Sequence, residues 1–278
     1  MSKKKTWLVT GASQGLGLSL VRQLLEQGYN VAAISRNEAA LRKAVGLTNG
    51  HFLPLQAAVT DEAAVGRAVE AAIAQFGLID VVVNNAGYGL GGSIEELTDA
   101  ETRANFDVNV FGTLNVIRKV MPYLRAQGSG HIFNISSIGG YASNAGAWGI
   151  YAATKFAVFG FSEALATDVK PFGIKVTIVA PGAFRTNFLS PESLTLPQHT
   201  LEAYQTVRDT HKQYQQWDKN QPGDPEKATA AIIRMADEQD PALYFFLGKD
   251  AYQRALKKNE SVMHDLKRWE EVTVSTDF

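Results

Sequence analysis

The 278-residue chain contains no cysteine. That absence removes disulfide frameworks, thiolate nucleophiles and Cys-ligated zinc from consideration. Histidine is scarce too: the five present form no HExxH or similar ligand pair, so no metal site is expected. An excess of one charge is also missing, since 27 Lys and Arg face 28 Asp and Glu for a net charge of -1. Without a basic field for phosphate backbones, nucleic acid is not an expected partner. No run reaches the roughly 18 apolar residues a membrane span needs. The basic opening MSKKKTWLVTGAS turns polar too soon for a secretory leader. A cytoplasmic protein with no membrane partner is the expectation. What is present is a 45% hydrophobic chain whose length suits one α/β domain.

Short apolar runs alternate with amphipathic stretches. The runs TWLVT (6–10), NVAAIS (30–35), HFLPLQAAV (51–59), IDVVVNNA (79–86), HIFNISS (131–137) and IKVTIVAP (174–181) read as strands covered on both faces. Residues 16–27, 61–76, 99–126 and 151–170 between them carry helical periodicity. This βαβ alternation predicts an α/β fold with a doubly wound parallel sheet. The alternation lapses at about 183–225, a polar and aromatic insertion expected to serve function or to move as a lid. A helix restarts with Asp224 as N-cap and Pro225 at its first position, ALYFFLG supplies a last strand, and a helical tail occupies about 249–278.

The stretch TGASQGLG (10–17) joins the first strand to a helix. Glycines there let the backbone turn tightly and approach a ligand, while free amides and the positive helix end favour an anion such as a pyrophosphate. A glycine-rich turn without a ligand has the same local sequence. An acid at the end of the second strand would accept bonds from ribose hydroxyls, and this chain instead has Ser35 and Arg36. That pair favours the 2′-phosphate of NADP(H) over NAD(H). A solvated surface arginine is the plain alternative.

In GIYAATKF, Tyr151 and Lys155 are four residues apart and share a helix face. A nearby ammonium would lower a phenol's pKa from about 10 toward the range useful for general acid and base work. A packed tyrosine beside a snorkelling lysine gives the same spacing. Ser136 and Ser137 close an apolar run at a strand end, where they either hold a substrate carbonyl or cap a turn. NNAG (84–87) stands at another strand end, and Asn109 is a polar residue among apolar helix neighbours, with a satisfied buried amide as its alternative.

Taken together, TGASQGLG, NNAG, NVFG, the paired serines, YAATK and PGAFRT resemble the classical short-chain dehydrogenases/reductases, over roughly residues 5–190. The resemblance implies a Rossmann-type fold with a parallel sheet of about seven strands and NAD(P) at the strand ends. It implies a catalytic set of Asn109, Ser137, Tyr151 and Lys155. In that set Tyr151 exchanges the proton, Lys155 lowers its pKa and binds the nicotinamide ribose, Ser137 orients the carbonyl, and Asn109 holds a relay water. It further implies that Gly11, Ser13, Gly15, Leu16 and Gly17 surround the pyrophosphate, that Asn85 and Gly87 lie along the adenosine and ribose, and that Pro181, Gly182 and Thr186 cradle the carboxamide. The Ser35–Arg36 pair matches the NADP-preferring branch, and the resemblance suggests a homodimer or homotetramer.

Three departures stand out. Ala58 replaces the acid that commonly holds the adenine amine, the loop from Ser137 to Tyr151 is one residue longer than is usual for the family, which keeps Ser136 as a second candidate, and the insertion has no template. Tyr141, Trp148, Phe184, Phe188 and Leu189, with Tyr88 and Leu90, are expected to line a pocket for a hydrophobic ketone, aldehyde or secondary alcohol. An NADPH-dependent carbonyl reductase follows. An oxidative dehydrogenase acting on sterol, retinol or sugar alcohols, or an NADP-binding redox sensor, are the alternatives.

Overall fold

A computed structural model describes residues 4–47, 49–143 and 146–278. Residues 1–3, which begin the basic opening, and Asn144 and Ala145 of the lengthened loop lie outside them. In chain order the strands and helices are β1 (Thr6–Thr10), α1 (Gly15–Glu26), β2 (Asn30–Ser35), α2 (Glu38–Val45), β3 (Phe52–Gln56), α3 (Glu62–Phe76), β4 (Val81–Asn84), β5 (Gly89–Leu90), α4 (Asp99–Phe106) and α5 (Gly112–Gln127). They continue with β6 (Gly130–Ile135), α6 (Gly149–Val169), β7 (Ile174–Pro181), β8 (Leu194–Thr195), α7 (Gln205–Gln216), α8 (Pro225–Met235), β9 (Tyr244–Leu247), α9 (Lys249–Arg268) and α10 (Glu270–Val274).

Seven strands form one parallel sheet in the order β3-β2-β1-β4-β6-β7-β9. The fold is a Rossmann-type doubly wound sheet. Alternation along each strand divides its side chains between two layers. Trp7, Val9, Val31, Ala33, Val81 and Val83 pack with α1, α2 and α8 on one face. Leu8, Ala32, Ile34 and Val82 pack with α3, α5 and α6 on the other. Both faces are covered, which is why the strands read as continuous apolar runs rather than as alternating ones. The chain winds from β1 outward through β2 and β3, then returns to the far side through β4, so the direction switches between β1 and β4. The crevice at such a switch is where open α/β sheets take ligands.

Helix starts follow local chemistry. Asp224 caps α8 by accepting from the amides of Glu226 and Lys227, with Pro225 first in the helix. Thr98 and Glu101 form a reciprocal capping box at α4. The long helix expected over 99–126 is interrupted by one π-helical turn, Asp107–Phe111, between α4 and α5. The insertion is more ordered than its composition suggests. Its β8 pairs in parallel with β5, and α7 follows a short 3-10 turn. Glu96 anchors it from below, accepting from Leu201 N at 2.9 Å and from Arg208 Nη1 at 2.9 Å. Among the described residues no helix is long and apolar enough to cross a membrane.

Candidate active site

A cleft of about 880 Å3 opens at the carboxyl ends of the strands. The loops leaving β1 and β4 meet at its floor. A Cβ on Gly11 would stand 2.8 Å from the Cα of Ala86, and Gly11 has φ +63°, so contact and conformation both require glycine. Gly11, Ser13, Gly15 and Leu16 line the cleft. Gly17, expected beside a pyrophosphate, does not border it: a Cβ there would lie 2.4 Å from Gly11 O and 2.5 Å from Asn85 Nδ2, so Gly17 lets α1 seat against the loop. Asn85 ties the same joint, donating from Nδ2 to Thr10 O at 3.0 Å and to Gly11 O at 3.1 Å.

Helix α1 begins at the cleft with Gln14 as its cap, which makes no side-chain capping bond, and with no acidic residue in its first turn. The first turn therefore adds no negative charge to the free amides and positive end of the helix, which suits the pyrophosphate of a dinucleotide. Ser35, Arg36 and Ala58 line the β2 side of the cleft, and Arg36 has no ion-pair partner among the described residues. Pro181, Gly182 and Thr186 line the β7 side. A Cβ on Gly15 would be 3.7 Å from the Cβ of Thr186, so the loop after β7 crosses to the glycine loop. Gln14 Nε2 donates to Ser193 Oγ at 2.8 Å, which brings the insertion over the same edge. The residues present fit a nicotinamide dinucleotide along this path.

Between the two ends lie Tyr151 and Lys155, both buried in α6. Lys155 Nζ donates to Ile135 O at 2.9 Å and sits 5.9 Å from the centroid of the Tyr151 ring. The expected acidification of the phenol is not found. Burial pushes Tyr151 up to about 12, with the Ser137 hydroxyl opposing it. Burial also pushes Lys155 down to about 8. The lysine's distance and its own desolvation leave burial as the larger effect on both groups. At neutral pH the phenol keeps its proton, as a donor must.

Ser137 lines the cleft, its Oγ accepting from Gly139 N at 3.1 Å. Ser136 also borders the cleft but commits its hydroxyl to Lys155 O at 2.8 Å. Ser137 is therefore the serine with a hydroxyl directed at the phenol. Asn109 sits in the π turn, where the altered winding brings its side chain inward. Its Oδ1 accepts from Tyr88 N at 3.0 Å, and its Nδ2 donates to Tyr88 O at 3.0 Å and Thr154 Oγ1 at 3.1 Å. The position a Cβ would take on Gly87 is 3.0 Å from Asn109 Oδ1 and 3.4 Å from Lys155 Nζ, so these three residues meet beneath the cleft.

Aromatic rings form the wall next to Tyr151. Trp148 lies 5.8 Å from it, Phe188 5.5 Å, and Tyr214 of α7 lies 5.4 Å from Trp148. Trp148, Phe184, Phe188, Leu189 and Tyr88 border the cleft. Two expected pocket residues do not. Tyr141 turns away to pack on Phe159 and Phe246 and hydrogen-bonds Asn259, because the turn after Ser137 carries it under α9. Leu90 is taken up by the β5–β8 pairing and is buried beneath it. Sequence reasoning missed Tyr214, Trp217, Asp250 and Arg254, which reach the cleft from the insertion and from α9. Only the aromatic content of the insertion hinted at the first two, and nothing in the tail marked the others.

A parallel sheet with a glycine-loop crevice and a serine, tyrosine and lysine at the strand ends defines a dinucleotide-binding oxidoreductase scaffold. The model of the short chain dehydrogenase family matches residues 5–196. The chain is 34% identical over 276 residues to oxidoreductase BOA17 of Botryotinia fuckeliana, covering 98% of this chain and 99% of that protein. It is 42% identical over 188 residues to a 3-ketodihydrosphingosine reductase of Bacteroides thetaiotaomicron, covering 68% of this chain and 67% of that one. A solved short-chain dehydrogenase from Streptomyces avermitilis superposes with a TM-score of 0.91 at 38% identity, over 99% of this chain and 100% of that one. The protein belongs to the short-chain dehydrogenase family and is an oxidoreductase.

Proposed function

We propose that the protein is an NADPH-dependent carbonyl reductase acting on a hydrophobic ketone or aldehyde, with oxidation of the matching secondary alcohol as the reverse reaction. The observation that carries this reading is a buried Tyr151 beside the Ser137 hydroxyl in the cleft that the glycine loop also lines. A bound nicotinamide supplies the hydride. The chain's own residues supply the rest. Ser137 and Tyr151 both hydrogen-bond the substrate oxygen, the carbonyl carbon gains the hydride, and that oxygen takes the phenol proton. Lys155 and Asn109 flank the space beneath Gly87, through which the phenol is reprotonated. The aromatic wall of Trp148, Phe188 and Tyr214 excludes water and favours an apolar substrate body.

Tyr151→Phe keeps the ring packing and removes the proton. Purified variant and wild type, assayed by NADPH oxidation over a panel of aryl and alkyl ketones, should differ by a factor on the order of 10² or more. Near wild-type turnover in the variant would defeat the reading. NADP(H) is favoured by the unpaired Arg36 at the end of β2 and by the lack of an acid there. Arg36→Ala should weaken NADPH binding in a fluorescence titration by about tenfold or more and leave NADH binding nearly as it was. Equal losses for the two cofactors would refute the phosphate assignment. The partner surface we propose is a second copy of the chain, through the outer faces of the π turn at Asp107–Phe111 and of α6.

A further inference from the structure

Arg254 is a half-buried cation on the cleft wall with no ion-pair partner among the described residues. It projects from α9, the helix that follows the last strand, and Nη2 donates to Ala142 O in the loop after Ser137. Its Nε is buried and has no hydrogen-bond partner among the described residues, and the guanidinium forms no ion pair there. Bringing a guanidinium out of bulk water without a counter-charge is costly, and such an arrangement suits a site whose ligand brings the charge.

The position of Arg254 separates it from Arg36 and the 2′-phosphate proposed there. β2, which ends just before Arg36, and β9, which leads into α9, are five strand spacings apart, about 24 Å at the usual separation. Arg254 thus stands at the substrate end, where Ser137, Gly139 and Ser143 also line the cleft. The one acid nearby on the same helix is Asp250, one turn earlier, and its Oδ2 is engaged as acceptor for Ala183 N at 2.8 Å. That carboxylate disfavours a doubly charged group such as a phosphate monoester. A singly charged, planar carboxylate matches the fork of one guanidinium.

We propose that the substrate carries, apart from its reacting carbonyl, a carboxylate that Arg254 receives; the inference rests on the carbonyl-reductase reading and adds the substrate class to it. The test uses 4-acetylbenzoate and its methyl ester as paired ketones with the full-length protein and NADPH. Wild type should show a kcat/KM for the acid above that for the ester by about tenfold or more, carried by KM. Arg254→Gln should collapse that acid-to-ester ratio toward one, and Arg254→Lys, which keeps the charge, should retain most of it. A wild-type ratio near one, or a ratio unchanged in Arg254→Gln, overturns the proposal while leaving the reductase reading standing. If neither ketone is turned over, calorimetric titration of 4-acetylbenzoate into the protein with NADP+ decides. Binding that weakens about tenfold in Arg254→Gln supports the carboxylate site and counts against carbonyl reduction. Equal binding by wild type and variant, or none by either, overturns the site.

Discussion

At the scale of single residues, the site turns on two buried groups whose ionisation the fold has moved in opposite directions. Lys155 binds its proton less tightly in the folded chain, about 8 against 10.5 for the free side chain. Between those values the unfolded state holds a proton that the folded state has released, so this residue makes stability rise with pH across that window. Below about 8 both states are protonated, and the folded protein bears the full cost of a buried ammonium. Lys155→Met removes that cost, in part offset by the lost bond to Ile135 O. In urea melts at pH 7 the variant should therefore be the more stable protein, by no more than about 3 kcal/mol. The gap should narrow as the pH is raised from 8 toward 10.5, and a pH-independent gap would contradict the assignment. The tyrosine and lysine were legible as a pair because a spacing of four defines one helix face. The sign of the phenol's shift was not, since it depends on how much water the packed insertion excludes.

At the scale of elements, strand limits followed closely from apolar runs and turn residues, as the exact match of residues 174–181 with β7 shows. The π turn at Asp107–Phe111 and the β5–β8 pairing were hidden, because the first depends on what a helix packs against and the second joins segments about 100 residues apart in the chain. The sheet interior also holds a titratable group outside the site. His131 of β6 is buried, with Nε2 2.9 Å from Thr177 Oγ1 on neighbouring β7. Burial first, then the nearby charges of Lys175 and Lys5, push its pKa down to about 3. As pH falls below about 6.5 the unfolded chain takes up a proton that the folded sheet refuses, and stability falls by about 1.4 kcal/mol per pH unit. His131→Gln has no such group. Between pH 7 and pH 5 the wild type should lose about 2 kcal/mol more than the variant in urea melts. Parallel losses would show that the acid sensitivity lies elsewhere.

At the scale of the whole molecule, Phe111 at the π turn and Phe156 on α6 are 52% and 43% exposed, on elements that pack against each other. Large apolar side chains left in water on neighbouring elements suit a contact with a second subunit. The wild type is expected to sediment as a dimer or larger assembly, and the double variant Phe111→Glu, Phe156→Glu to shift toward monomer. A monomeric wild type at micromolar concentration would remove the proposed interface. The amino-acid sequence by itself determined the parallel sheet, the glycine crevice and the tyrosine and lysine pair, because each rests on periodicities and spacings within a few turns of chain. Only the tertiary structure decided which serine faces the phenol, that Tyr141 leaves the pocket, and that Arg254 enters it from a helix more than 100 residues beyond Ser137. Those outcomes depend on which side chains reach one cleft from distant parts of the chain, and no local pattern encodes that distance.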